Sequence, residues 1–277
     1  MNDHRTHGVT TSDGVTIGAT VHGQGPPLVL LQGAVGDGDL DWQTVLPHLT
    51  DRFTCHLPSM RCRGLSGDHP DLSIPRLVDD VITYLDSIGE PAGLVGWSLG
   101  SGLALLAAAR SDLGGAVVAF EPAMMDLMDE QEQAVLGAAV AGLGEQVEAG
   151  DLPAAVRGFL GWPFTEVEIA VADRAGYIEA AGRYAPSLLE FLRQATSADS
   201  PDIDQASVLA AIPVPVLVLQ GSATRPFFAD SARYVADHVP DARVQEIDGA
   251  AHAAPVTHPE AFAAALTGFL SPAGQLV

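Results

Sequence analysis

The stretch Val95-Gly96-Trp97-Ser98-Leu99-Gly100-Ser101 decides the fold. An apolar run over residues 92–95 precedes the serine and an alanine-rich run over residues 103–109 follows it. The first reads as a buried strand and the second as a buried helix. Gly-x-Ser-x-Gly between them forms a sharp strand-to-helix turn with Ser98 at its apex. Such a turn strains the serine backbone, and a Cβ at Gly96 or Gly100 would collide with neighbouring backbone. The helix that follows aims its N-terminal N–H groups at the serine, where negative charge develops during acyl transfer.

Outward from this turn, strands and helices alternate. Asp13-Gly14 is a hairpin signal between β runs at residues 8–11 and 15–22. Gly25-Pro26-Pro27 breaks the chain. Residues 28–31 then form a continuous apolar run, as a strand buried on both faces requires. Residues 42–49 read as an amphipathic helix and residues 53–57 as a strand. Residues 74–88 carry Leu77, Val78, Val81, Ile82 and Leu85 on one helical face. Further strands are expected at residues 116–120, 214–219 and 244–247, and helices at 227–239 and 259–270. This alternation predicts an α/β fold, a mostly parallel central sheet covered by helices on both faces.

Residues 124–211 break the alternation. They read as almost wholly helical, interrupted at Gly150-Asp151, at Trp162-Pro163 and over the polar stretch 197–204. The expectation is a helical cap inserted over the site, with residues 1–123 and 212–277 forming the core; plain packing helices are the alternative.

The 277 residues, 47% hydrophobic, suffice for one large α/β domain. Aromatics make up only 6%, so Ala, Val and Leu must fill most of the interior. The net charge is −22, and all 13 basic residues are arginines. Such a surface repels nucleic acid and anionic membranes, so neither is expected as a partner. The absence of lysine fits either a high-GC codon bias or a salt-adapted surface. Cys55 and Cys62 do not suggest a disulfide framework, and no metal-ligand spacing is present, so no metal is expected. No apolar leader occupies residues 1–20 and no run of 18 apolar residues occurs, which points to a soluble, cytoplasmic protein. The oligomeric state is left open.

With strand, turn and insertion in place, the chain resembles the α/β-hydrolase fold family over nearly its whole length. Leu28-Val29-Leu30-Leu31-Gln32-Gly33 is similar to the family strand ending in His-Gly, with Gln32 in place of the His. Ala34 falls where the family supplies a backbone N–H to an oxyanion hole, the second donor being the N–H of Leu99. Arg61-Cys62-Arg63-Gly64-Leu65-Ser66 resembles part of the family's Asp-x-Arg-Gly-x-Gly-x-Ser loop, with Ser59 at the Asp position and Cys62 at the first Gly. Asp248-Gly249-Ala250-Ala251-His252 is similar to its C-terminal histidine loop.

The resemblance implies a nucleophile, an acid and a base in that chain order. Ser98 is the candidate nucleophile. His252 is the candidate base, because it follows the last strand; the other histidines lie in tails, strands, helices or polar loops. The family usually carries Asp after the strand at residues 214–219, but Thr224 stands there, in Gly221-Ser222-Ala223-Thr224-Arg225-Pro226. Some members, such as haloalkane dehalogenases, carry the acid one strand earlier, where this chain has Glu121. The alternatives are Asp230, another carboxylate, a Ser–His pair without an acid, or a Glu121 that merely pairs with an arginine. Trp97, Phe159, Trp162 and Phe164 either line the substrate pocket or pack as core.

Serine at the turn excludes the dehalogenase and epoxide hydrolase reactions that need Asp there, and points to acyl transfer. The resemblance therefore implies a serine hydrolase that cleaves a carboxylic ester or lactone of a small molecule, with no metal or organic cofactor. Thioester cleavage, acyl transfer or cyclisation, carbon–carbon hydrolysis and perhydrolysis would use the same residues. A non-catalytic, ligand-binding relative is a third reading, favoured by Gln32 and by the missing carboxylate at Thr224.

Overall fold

The computed structural model describes residues 5–111, 115–195 and 204–270. Among these residues eight strands form one sheet: β1 (Arg5–Thr10), β2 (Thr16–Gly23), β3 (Pro27–Leu31), β4 (Thr54–Pro58), β5 (Gly93–Trp97), β6 (Val117–Phe120), β7 (Val216–Gly221) and β8 (Ala242–Ile247). Their spatial order is β1-β2-β4-β3-β5-β6-β7-β8. The β1–β2 and β2–β4 pairs are antiparallel and the rest are parallel. The sequence-based expectation of a mostly parallel sheet holds. Every residue of β3, β4, β6 and β7 is buried, as expected of strands covered on both faces.

Among the described residues twelve α-helices flank the sheet or join its strands. The first three are α1 (Gly38–Trp42), α2 (Ile74–Ile88) and α3 (Leu99–Arg110). Between β6 and β7 come α4 (Glu130–Ala149), α5 (Leu152–Leu160), α6 (Glu166–Arg174), α7 (Tyr177–Gly182), α8 (Ala185–Ala195) and α9 (Ala206–Leu209). The last three are α10 (Pro226–His238), α11 (Ala254–Thr257) and α12 (Pro259–Leu270). The α2 and α12 helices span the residues expected for them, α2 from its helical spacing.

The helix expected at residues 42–49 is different. Asp37 accepts the Leu40 N–H at 2.8 Å and starts α1 at Gly38, and only a 3₁₀ turn follows at Leu46–His48. Pro47 has no N–H to donate to the preceding turn, so an α-helix cannot continue through it. The expected interruptions in the insertion appear as caps. Gly150 ends α4 at φ +80°, and Asp151 accepts the Ala154 N–H to start α5. The turn at Trp162-Pro163 separates α5 from α6. Most of the polar stretch 197–204 lies outside the described residues. Cys62, at a place where the resembled family has Gly, adopts φ +66°. Among the described residues no helix is long and apolar enough to cross a membrane.

Strand register sets the site. Trp97 of β5 lies opposite Phe120 of β6, which lies opposite Leu219 of β7. Gly221 of β7 pairs with Ile247 of β8. Residues just past these strands, Ser98, Glu121 and the loop to His252, therefore gather along one edge of the sheet.

Candidate active site

Ser98 sits between β5 and α3 at φ +54°, ψ −115°, outside the regions a side chain normally tolerates. Its N–H donates to the Phe120 carbonyl at 2.9 Å. A Cβ on Gly96 would lie 2.2 Å from the Gly100 carbonyl oxygen, and one on Gly100 would lie 2.5 Å from the carbonyl oxygens of Leu31 and Gln32. Glycine is thus required on both sides of the serine, as the sequence implied. Ser101 was not singled out by sequence. Its hydroxyl lies 2.8 Å from the carbonyl oxygens of both Gly96 and Phe120, so it ties the turn to the adjacent strand. Leu99 is the first residue of α3, where the backbone N–H has no acceptor within the helix.

Glu121 is fully buried and also adopts a positive φ, +46°. Its Oε2 lies 2.7 Å from His252 Nδ1. Thr224 Oγ1 donates to the same oxygen at 2.9 Å, and the Gly221 N–H donates to Oε1 at 2.9 Å. These two donors and the imidazole take the place of the water a buried carboxylate has lost. Thr224, at the family's usual acid position, therefore bonds the carboxylate that stands one strand earlier. The pairing of Glu121 with an arginine does not occur among its hydrogen bonds. Asp230 instead makes an exposed ion pair with Arg233 at 2.9 Å.

The His252 ring is packed by aromatics. Phe228 stacks on it with centroids 4.1 Å apart, and Phe120, Trp97 and Phe164 lie around it at 6.1–6.4 Å. Trp97 Nε1 donates to the His252 carbonyl oxygen at 2.8 Å. Trp97 thus both packs and holds the histidine loop. Nothing in the local sequence of Phe228 marks it for this contact, since it lies on α10.

Ser98 and His252 line one cavity together with Ala34, Trp97, Phe159, Trp162, Phe164 and Tyr177. The structure thus brings together the sequence-derived residues Ala34, Trp97, Phe159, Trp162 and Phe164 around the serine and histidine. Trp162 is fixed by its Nε1 donating to Glu132, which also receives the Arg225 guanidinium.

The loop carrying Ala34 is anchored by residues the sequence did not flag. The Gly33 N–H donates to Asp41 Oδ2 at 2.8 Å, and the Tyr177 hydroxyl donates to Asp41 Oδ1 at 2.8 Å. Burial pushes the Asp41 carboxyl up to about 7, opposed by these two hydrogen bonds. Gln32, in place of the family histidine, accepts the Met60 N–H at 3.0 Å and donates to the Gly36 carbonyl, and Arg63 Nη1 donates to that carbonyl at 2.8 Å. Cys55 and Cys62 are free thiols.

A family model described as "Alpha/beta hydrolase family" matches residues 21–265. The chain belongs to this family. Its relatives include a pimeloyl-[acyl-carrier protein] methyl ester esterase of Aeromonas hydrophila. The two are 26% identical over 245 residues, covering 87% of this chain and 93% of the esterase. A pyrrolizixenacetamide deacetylase of Xenorhabdus hominickii is 32% identical over 91 residues, which span 34% of that protein. Among solved structures, an alpha/beta hydrolase of Sphaerobacter thermophilus superposes with a TM-score of 0.77 at 27% identity, covering 96% of this chain and 100% of the other.

Proposed function

We propose that this α/β hydrolase is a serine hydrolase that cleaves a carboxylic ester or lactone through an acyl-enzyme on Ser98. The observation that carries the reading is the 2.7 Å contact of buried Glu121 with His252 beside the cavity that His252 shares with Ser98. His252 takes the Ser98 proton as the hydroxyl attacks the substrate carbonyl. Glu121 holds the imidazole tautomer and stabilises the imidazolium. The N–H groups of Leu99 and Ala34 receive the oxyanion. His252 then returns the proton to the departing alkoxide, and water, deprotonated in turn by His252, releases the acid and restores Ser98. Residues 124–211 act as the cap, with Phe159 and Trp162 shaping the acyl pocket. The esterase chemistry named for the Aeromonas relative supports the ester reading.

A phosphonofluoridate probe tests it. The probe should add once to the peptide containing Ser98, and Ser98→Ala should abolish labelling and cost on the order of 10⁴-fold in turnover. Labelling that survives in the alanine variant refutes a Ser98 nucleophile. A series of p-nitrophenyl esters then reads the cap. Phe159→Leu should shift acyl-chain preference roughly tenfold while costing less than about 1.5 kcal/mol of stability. An unchanged preference with a lowered Tm makes Phe159 part of the packing only.

A further inference from the structure

We propose that Glu168, on the insertion helix α6, is a positioning residue for His252; the proposal rests on His252 being the base. Glu168 is the third residue of α6, and Thr165 is the N-cap. Its Oε2 accepts the Thr165 N–H at 2.9 Å, while the Glu168 N–H donates to Thr165 Oγ1 at 3.2 Å. This is a capping box, a device that stabilises a helix start and needs no partner elsewhere. Here the second oxygen does something a capping box does not ask for. Glu168 Oε1 accepts the N–H of Ala253 at 2.7 Å, from a segment 85 residues further along the chain. Both residues are buried.

The peptide group involved is the one that joins His252 to Ala253. Its carbonyl oxygen receives the indole N–H of Trp97 at 2.8 Å, and its N–H is taken by Glu168. In a trans peptide these two groups point in opposite directions from one plane. The core therefore grips one side of the plane and the insertion grips the other. That plane fixes the backbone rotation at His252, hence where the ring sits between Glu121 and the cavity. Removing the carboxylate would leave the buried Ala253 N–H without an acceptor, and the plane would turn to find another.

The test separates this contact from the cap. Thr165→Ala removes the capping hydroxyl but leaves the Glu168 carboxylate, so it should lower Tm and keep kcat within about twofold. Glu168→Ala should lower kcat roughly 10- to 100-fold with KM little changed, the cost of a slightly misplaced catalytic group. Its Ser98 labelling by the phosphonofluoridate should slow in parallel. The low-field proton of the His252 Nδ1–H, followed by NMR, should broaden or vanish in Glu168→Ala and persist in Thr165→Ala. Should the alanine variant not fold, Glu168→Leu fills the same space without an acceptor and is judged the same way. Wild-type kcat, or an unaltered Nδ1 proton, in a folded Glu168 variant overturns the proposal. So does a loss of kcat that merely follows Tm across both positions. A wild type whose Ser98 does not label refutes the acyl-enzyme reading instead, and the Nδ1 proton then judges Glu168 by itself.

Discussion

Helices α3 and α4 show how differently the two parts of this molecule are held. Eight of the twelve residues of α3 are buried, whereas Leu143 is the one buried residue among the twenty of α4. The α3 helix follows the serine turn and packs on β5 and β6, so its backbone is fixed by the sheet. The insertion meets the core through polar contacts, Glu168 on the Ala253 N–H, Tyr177 on Asp41, and Tyr184 and Arg183 on Asp37, and through ring contacts of Phe164 with Trp97 and of Trp162 with Phe227 and Phe228. Ser98 and Glu121, the candidate catalytic groups, follow directly on strands β5 and β6 of the sheet.

The largest expected effect lies beside the sheet. Glu121→Gln should leave the fold intact and lower kcat about 10³- to 10⁴-fold, because an amide can bond the ring but stabilises its charged form far less. Near-normal kcat in that variant would remove Glu121 from the mechanism, and Asp230→Asn should change nothing in either case.

A methyl group probes the two regions directly. At Gly100 a Cβ would meet two carbonyl oxygens at 2.5 Å, so Gly100→Ala should cost more than about 3 kcal/mol, read as a fall in Tm of roughly 6 °C or more. At Gly137, on α4, the same Cβ has open space. Gly137→Ala should therefore raise stability by about 0.5–1 kcal/mol, the smallest effect here, by removing backbone freedom from the unfolded chain. A stabilised Gly100→Ala would contradict the turn geometry. A destabilised Gly137→Ala would mean that α4 is packed more tightly than the contrast above allows.

Between these extremes lies a pH effect at the junction of the two regions. Burial raises the Asp41 carboxyl from 3.8 to about 7 in the folded protein. Between those values the folded state holds a proton that the unfolded chain has released. Stability therefore falls as pH rises through that window, by up to about 1.4 kcal/mol per pH unit, and levels off above it. Asp41→Asn, which stays neutral, should lack this slope. Parallel Tm-against-pH curves for the two proteins would show that Asp41 is ionised throughout.

Much of the fold was legible in the sequence because its rules are local. The turn at Ser98, the extent of α2, and the strands of the parallel sheet follow from glycine placement and periodicity within a few residues. The helix expected at residues 42–49 failed because Asp37 capped it early and Pro47 barred its continuation. In the site, Ser98 and His252 could be named as candidates from their places after strands, and Glu121 as one of several carboxylate candidates, because Thr224 stands where the family usually has Asp. Phe228, Asp41, Ser101 and Glu168 carried no such mark, and Thr224 was marked only as the place of a missing acid. Glu168 in particular reads as an ordinary capping box, since nothing local says where its second oxygen goes.

The sequence by itself thus determined the turn that exposes Ser98, the alternation that builds the sheet and the place of the histidine loop. Glycine sterics set the turn and apolar patterning sets the alternation, while the histidine loop is placed by its likeness to the family's. The tertiary structure alone decided which carboxylate meets His252, 131 residues away in the chain, and which side chains hold that histidine in place. Such contacts depend on strand register and on how the insertion folds back over the sheet edge. Both are settled by packing across the whole molecule, where burial leaves each polar group only the partners that the fold brings to it.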